Sequence, residues 1–158
     1  MGSFSLPWGD DLPDILLHVN SADALQGISR LGLAAGAQWS NADVAAYLAR
    51  RVEDAGYAPV ILSLPRAVLE SFQPRPDWEA LEMPPLEVVM RDTQALSHYW
   101  TQGEPTPERS LGLVGSVRTT RFVPASVLHA HLPHLREQAA QARQLQRKTA
   151  LKHRKNNR

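Results

Sequence analysis

SNADVAAYLARRVEDAGYAPVILSLP, residues 40–65, joins two unlike periodicities in one stretch. Val44, Leu48, Val52 and Ala55 recur every three or four positions, which puts their side chains on one helix face. Ser40 or Asn41 supplies an N-cap, whose side-chain oxygen can accept from a free amide of the first turn. Gly56 stands where a left-handed C-cap residue is wanted. Directly after it, Ala58 to Leu64 is short, rich in Val, Ile and Leu, and bounded by Pro59 and Pro65, as a buried strand is. Helix followed by strand is thus the local unit. The same succession excludes a helix-turn-helix, because an extended apolar run occupies the place of a recognition helix.

Upstream, Ser21 can cap a helix through about Ala35, with Ala24, Leu25, Ile28, Leu31 and Leu33 as its apolar face. Gly2, Pro7, Gly9 and Pro13 mark residues 1–13 as a flexible arm. Downstream, Arg66 to Phe72 suits a helical turn or two, and the proline-dense stretch Gln73 to Pro85 suits a connection. Leu86 to Arg91 patterns as a strand, and Asp92 or Thr93 caps a helix running through Leu96, Tyr99 and Trp100. A second connection spans Gly103 to Arg109. Leu111 to Val117 and Thr119 to Val123 pattern as extended, either paired as a hairpin or continuous as one strand. Pro124 and Pro133 each suit the first turn of a helix, where a missing N–H costs nothing. This order predicts an α+β fold, a small mixed domain with N-terminal helices, a few short strands and a long basic C-terminal helix. The predicted divisions are an arm at 1–13, one domain at 14–142 and a basic tail at 143–158.

At 158 residues, 43% apolar and 21% charged, the chain has an ordinary globular composition and is long enough to bury one core. It contains no cysteine, which excludes disulfide frameworks, thiolate metal sites and thiol catalysis and favours a cytoplasmic setting. The opening MGSFSLPWGDDLPDILL has no basic stretch leading into an apolar run and so lacks the pattern of a secretory signal. Every basic residue before Lys148 is arginine, a bias that fits a GC-rich bacterial coding sequence.

The formal charge of +1 averages two unlike parts. From Arg136 onward stand eight of the 17 basic residues and one of the 16 acids, Glu137, leaving residues 1–135 with nine basic and 15 acidic groups. A body of about −6 thus carries a tail of about +7, and clustered cations of this kind attract polyanions. On a wheel of about 100° per residue, Leu128, Leu132, Leu135, Ala139 and Ala142 form one apolar stripe that nothing continues, so packing against the body should end near Ala142. Arg136, Arg143, Arg147 and Arg154 share one line along that helix, while Lys148, Lys152 and Lys155 share another. No acid follows Glu137 to make the i,i+4 pairs that support an isolated helix, so residues after about Lys148 are expected to order only on a polyanion.

The remaining chemistry is sparse. His129, His131 and His134 make an H-x-H-x-x-H cluster, but Pro133 interrupts any shared helix face, and no metal or cofactor is expected. Asp10, Asp11 and Asp14 cluster near Trp8 and His18 as a cation site or acid pair would, but a flexible acidic arm with Asp11 or Asp14 capping a first helical turn accounts for them, and Ser116 in Val-Gly-Ser-Val lacks the second glycine of a nucleophile elbow. Phosphate-loop and dinucleotide glycine patterns are missing, which argues against an enzyme.

The pattern predicts a non-enzymatic accessory protein whose acidic body docks on a partner. Arg136, Arg143, Arg147, Lys148, Lys152, Arg154, Lys155 and Arg158 would contact nucleic-acid phosphates, DNA or RNA, without sequence readout, and Arg118 and Arg121 are the candidate body contribution. The alternative is an adaptor or assembly subunit whose tail docks in an acidic protein groove. A tail that merely solubilises the chain, or folds back on its own acidic body, also fits the charge pattern. Membrane binding is disfavoured, because no bulky apolar face backs the basic one.

Overall fold

The computed structural model describes residues 12–82 and 106–156. Its elements run β1 (Ile15–Ser21), α1 (Ala22–Leu31), β2 (Gln38–Ser40), α2 (Ala42–Asp54), β3 (Pro59–Pro65), α3 (Arg66–Glu70), β4 (Pro74–Pro76), α4 (Trp78–Glu82), α5 (Pro107–Val114), β5 (Ser116–Thr119), α6 (Ala125–His131) and α7 (Leu135–Asn156). The five strands form one antiparallel sheet in the order β3-β1-β2-β5-β4, so the fold is α+β.

Strand alternation sorts the sheet into two faces. Leu16 and His18 of β1, Leu62 and Leu64 of β3, Trp39 of β2 and Val117 of β5 point into the main core. That core is closed by α1, α6 and α7 through Leu25, Ile28, Leu128, Leu135 and Ala139. The opposite face carries Gln38, Ser116 and Arg118, and α2 packs there against β1 and β3. Ile15 and Ile61 also lie on this second face and remain exposed.

The stretch 40–65 folds as its periodicity dictates. Asn41 caps α2 by accepting from the Val44 amide at 2.9 Å, Gly56 follows the helix with φ of +91°, and β3 comes next. The expected stripe is buried as spaced but split between two helices: Leu128 on α6 and Leu135 on α7 are inaccessible, Leu132 between the helices is half-buried, Ala139 and Ala142 are nearly inaccessible, and Leu145 and Leu151 are out in solvent.

Elsewhere the structure differs from the pattern. Ile15 to Ser21, not assigned to any element from sequence, is the strand β1, held along its whole length by β3. The helix capped from Ser21 ends at Leu31, and Gln38–Ser40 pairs with both β1 and β5. The Gln73 to Pro85 connection contains β4 and α4; Pro74 and Pro76 fit β4 because it is an edge strand, where a lost N–H need not break a ladder. Leu111 to Val114 is helical, not extended. Thr106 caps α5 by accepting from the Arg109 amide, Pro107 opens the helix and Gly115 ends it with φ of +76°, an arrangement of proline at the start and glycine at the end. Every residue from Ser110 to Val117 is buried, so no polar side breaks the run to disclose a helical period.

The helix at the chain's end continues to Asn156, past the expected limit of order near Lys148. Its docked turns supply the nucleus, after which Ala, Leu, Gln, Lys and Arg propagate a helix at little cost. The strand assigned to Leu86 to Arg91, the helix from Asp92 to Trp100, the arm as far as Asp11, and Arg158 lie outside the described residues. Of residues 12 to 14, the Asp14 carbonyl accepts from the Arg66 amide at 2.7 Å and Leu12 packs on the core, which ties the end of the arm to the body.

Candidate functional site

Helix α7 has two unlike halves. Its first two turns dock Leu135, Ala139 and Ala142 beside α1, and Arg143 Nε donates to Gln26 Oε1 at 3.0 Å to fix the register. From Arg143 on, every described cation is exposed: Arg143, Arg147, Lys148, Lys152, Arg154 and Lys155. Around the helix the arginine line borders the docked stripe, whereas the lysine line lies on the far side from it. From Arg136 to Arg154 the line covers about 27 Å at 1.5 Å per residue.

Where α7 crosses α1 and α6 the three helices leave an open groove of about 610 Å³. Its lining includes Arg30 of α1, His129 of α6, and Arg136 and Arg143 of α7, with no carboxylate among the described lining residues. His129 Nε2–H donates to the Ser29 carbonyl at 2.6 Å, which locks α6 to α1 and fixes the imidazole. Arg136 and Arg143 of the predicted set are thus brought together with His129, which the sequence marked only as a member of the histidine cluster, and with Arg30, which the sequence pattern did not single out. Arg30 is 106 residues from Arg136 in the chain, and nothing local marks it.

The two body candidates lie elsewhere. Arg121 is exposed on the connection between β5 and α6. Arg118 is committed to a buried polar network on the opposite face of the sheet from the core. Its Nε donates to Asp77 Oδ1 at 2.8 Å and lies 3.1 Å from Glu79 Oε2, and its Nη1 donates to the Gly36 carbonyl at 2.9 Å. Asp77 is fully buried and is the focus of the network. Gln38 Nε2 and Ser116 Oγ each donate to its Oδ2 at 2.7 Å, and the Ala80 amide donates to Oδ1, capping α4. Ser110 Oγ accepts from the Asp77 amide and donates to the Ser116 carbonyl. Arg75 hydrogen bonds hold the Glu79 carboxyl down at about 2, against an opposing push from partial desolvation. With these groups paired to one another and no imidazole among them, the network anchors β4 and α4 to the sheet and offers no activated nucleophile; Ser116 serves a buried carboxylate.

The three clustered histidines do not converge. His129 is tied to Ser29, His131 is the last residue of α6, and His134 in the following turn lies 3.7 Å from Glu137 Oε2. Among the described residues no group of three or more His, Asp or Glu is placed to hold a metal ion. None of the described helices is long and apolar enough to cross a membrane. No protein-family model matches the chain, and neither a curated protein nor a solved structure is significantly similar to it.

Proposed function

We propose that the protein is a non-enzymatic accessory factor that contacts the phosphate backbone of nucleic acid through α7 while its acidic body docks on a partner. The observation that carries this is the second half of α7: six exposed cations on one continuous helix, with no acid among them, joined to a body that is net acidic. Such a helix supplies affinity and salt dependence but no base readout, since it has no aromatic side chain to stack on bases. A bacterial cytoplasm fits the cysteine-free, arginine-biased composition.

The test is fluorescence anisotropy on labelled duplex DNA and RNA across a salt series. The comparison is with a full-length variant in which Arg147, Lys148, Lys152, Arg154 and Lys155 are glutamine. With about five phosphates neutralised, log K should fall by ~4.5 per decade of salt, a loss of ~500-fold between 50 and 200 mM. The variant should lose both the affinity and the slope; equal binding by both proteins refutes the proposal.

A second reading, an adaptor or assembly subunit, is favoured by a separate observation. Ile15, Ile61 and Tyr57 are exposed around β1 and β3, and Trp78 is exposed on α4. Under that reading α7 enters an acidic protein groove, and a pull-down should give protein partners that survive nuclease treatment.

A further inference from the structure

We propose that the groove between α1, α6 and α7 is a phosphate seat, in which Arg30, Arg136 and Arg143 hold a phosphate oxyanion beside the fixed ring of His129. The inference takes its ligand class from the proposed function but concerns a different place and a different residue, Arg30, which lies outside the basic tail.

Three arginines from two helices line one concavity with no carboxylate among its described lining residues, against a body where acids outnumber bases. Arg30 taken alone has an ordinary explanation, since it lies in the last turn of α1 and complements the helix dipole. That explanation does not account for Arg136 and Arg143 on the facing helix, which bring two further positive charges to the same concavity. Among the described residues neither Arg30 nor Arg136 has an ion-pair partner. Arg143 is aimed by its bond to Gln26 and keeps its remaining N–H groups.

The walls are rigid where it matters. α1 and α7 are clamped by Leu25, Ile28, Leu135 and Ala139 of the core, and α6 is tied to α1 through His129 and Ser29. The volume of about 610 Å³ lies within the ~300–1,000 Å³ typical of ligand clefts, ample for a phosphate with its attached sugar. Guanidinium forks match phosphate oxygens in pairs, and the choice of arginine throughout suits that geometry better than lysine would. The arginine line of α7 leads out of the groove through Arg147 and Arg154, so a phosphate seated there belongs to a longer anionic chain running along the helix.

The experiment is a ¹H–¹⁵N NMR titration of the full-length chain with inorganic pyrophosphate, then with one oligonucleotide carrying a 5′-phosphate and the same oligonucleotide with a 5′-hydroxyl. Pyrophosphate should shift the amides of the lining residues Arg30, His129 and Arg136 saturably. Arg30→Gln should weaken it about tenfold, the loss of one charge-assisted contact, or ~1.4 kcal/mol. Arg51→Gln, the same charge change at an exposed arginine of α2 outside the groove, should alter affinity less than twofold. Preference for the 5′-phosphate assigns the seat to a chain end, and equal binding assigns it to internal diesters; either supports the seat if Arg30→Gln weakens it. Equal effects of Arg30→Gln and Arg51→Gln, or no saturable shift at the groove amides, overturns it. The glutamine variant of the tail separates the two proposals. If it binds no nucleic acid yet keeps the Arg30-dependent pyrophosphate shifts, the seat stands independently of the tail. If nucleic acid binds the native chain regardless of Arg30, the tail reading survives without the seat.

Discussion

Asp77→Ala should be among the most damaging single substitutions in the body. The carboxylate is fully buried and accepts from Gln38 Nε2 and Ser116 Oγ at 2.7 Å, from Arg118 Nε at 2.8 Å and from the Ala80 amide at 3.2 Å. Removing one partner of a buried ion pair costs ~3–5 kcal/mol. Arg118 keeps a quarter of its side chain exposed and retains Glu79 at 3.1 Å, which places this case near the lower bound. Loss of the α4 cap adds ~1 kcal/mol, for a total of ~4 kcal/mol. Against a domain stability of ~5–15 kcal/mol that is a large fraction. With a urea m-value of ~2 kcal/mol/M, the midpoint should fall by ~2 M. The assay is urea unfolding followed by tryptophan fluorescence and circular dichroism, on Asp77→Ala, Arg118→Met and the double variant. The double variant should lose less than the sum of the singles, since removing Arg118 eliminates the stranded charge. A loss below ~1 kcal/mol for Asp77→Ala, or strict additivity in the cycle, would refute the claim that this carboxylate holds β4, β5 and α4 together.

Glycine substitutions should split by backbone and space. Gly115→Ala combines φ of +76° with a Cβ only 2.6 Å from Val44 Cγ2, and should cost ~1–3 kcal/mol in chemical denaturation; Gly27→Ala, exposed within α1 with nothing near its Cβ, should gain ~0.5–1 kcal/mol. Leu135→Ala removes an inaccessible side chain from the α7 docking stripe and should lower stability by ~2–5 kcal/mol by the same measurement. Burial against Trp39 lowers the His18 pKa from its ordinary 6.5, outweighing the bond with the Gln38 carbonyl, which raises it. The folded state therefore resists protonation that the unfolded chain accepts. Stability is full above pH 6.5 and declines as pH falls below it, and His18→Leu should flatten that decline in melting temperature measured between pH 8 and 5.

Legibility from sequence followed the range of the interactions. Asn41, Val44, Leu48 and Gly56 act on neighbours within a few residues, and so α2 and the strand after it could be placed from the chain alone. Leu111 to Val114 could not, because burial on all sides hides a helical period, although Thr106, Pro107 and Gly115 carried its start and stop. Proline-rich Gln73 to Pro85 concealed an edge strand, where proline is tolerated for a reason that depends on sheet position. Asp77, inside that stretch, was not singled out from sequence, since nothing local marks its burial or its distant partners Gln38, Ser116 and Arg118.

By itself the sequence determined the α+β class, the α2–β3 unit, the segregation of acid from base, and the end of packing at Ala142, all properties of neighbouring residues or of simple counts. Only the tertiary structure decided that Arg118 is spent on Asp77, 41 positions away, and that α7 lies against α1 so that Arg143 meets Gln26, 117 positions away. Arg30 joined the arginines of α7 by the same long-range packing. Local periodicity fixes which face of an element is apolar; which distant face it meets is set by the summed burial and pairing of the whole chain, and that sum is not written in any short stretch.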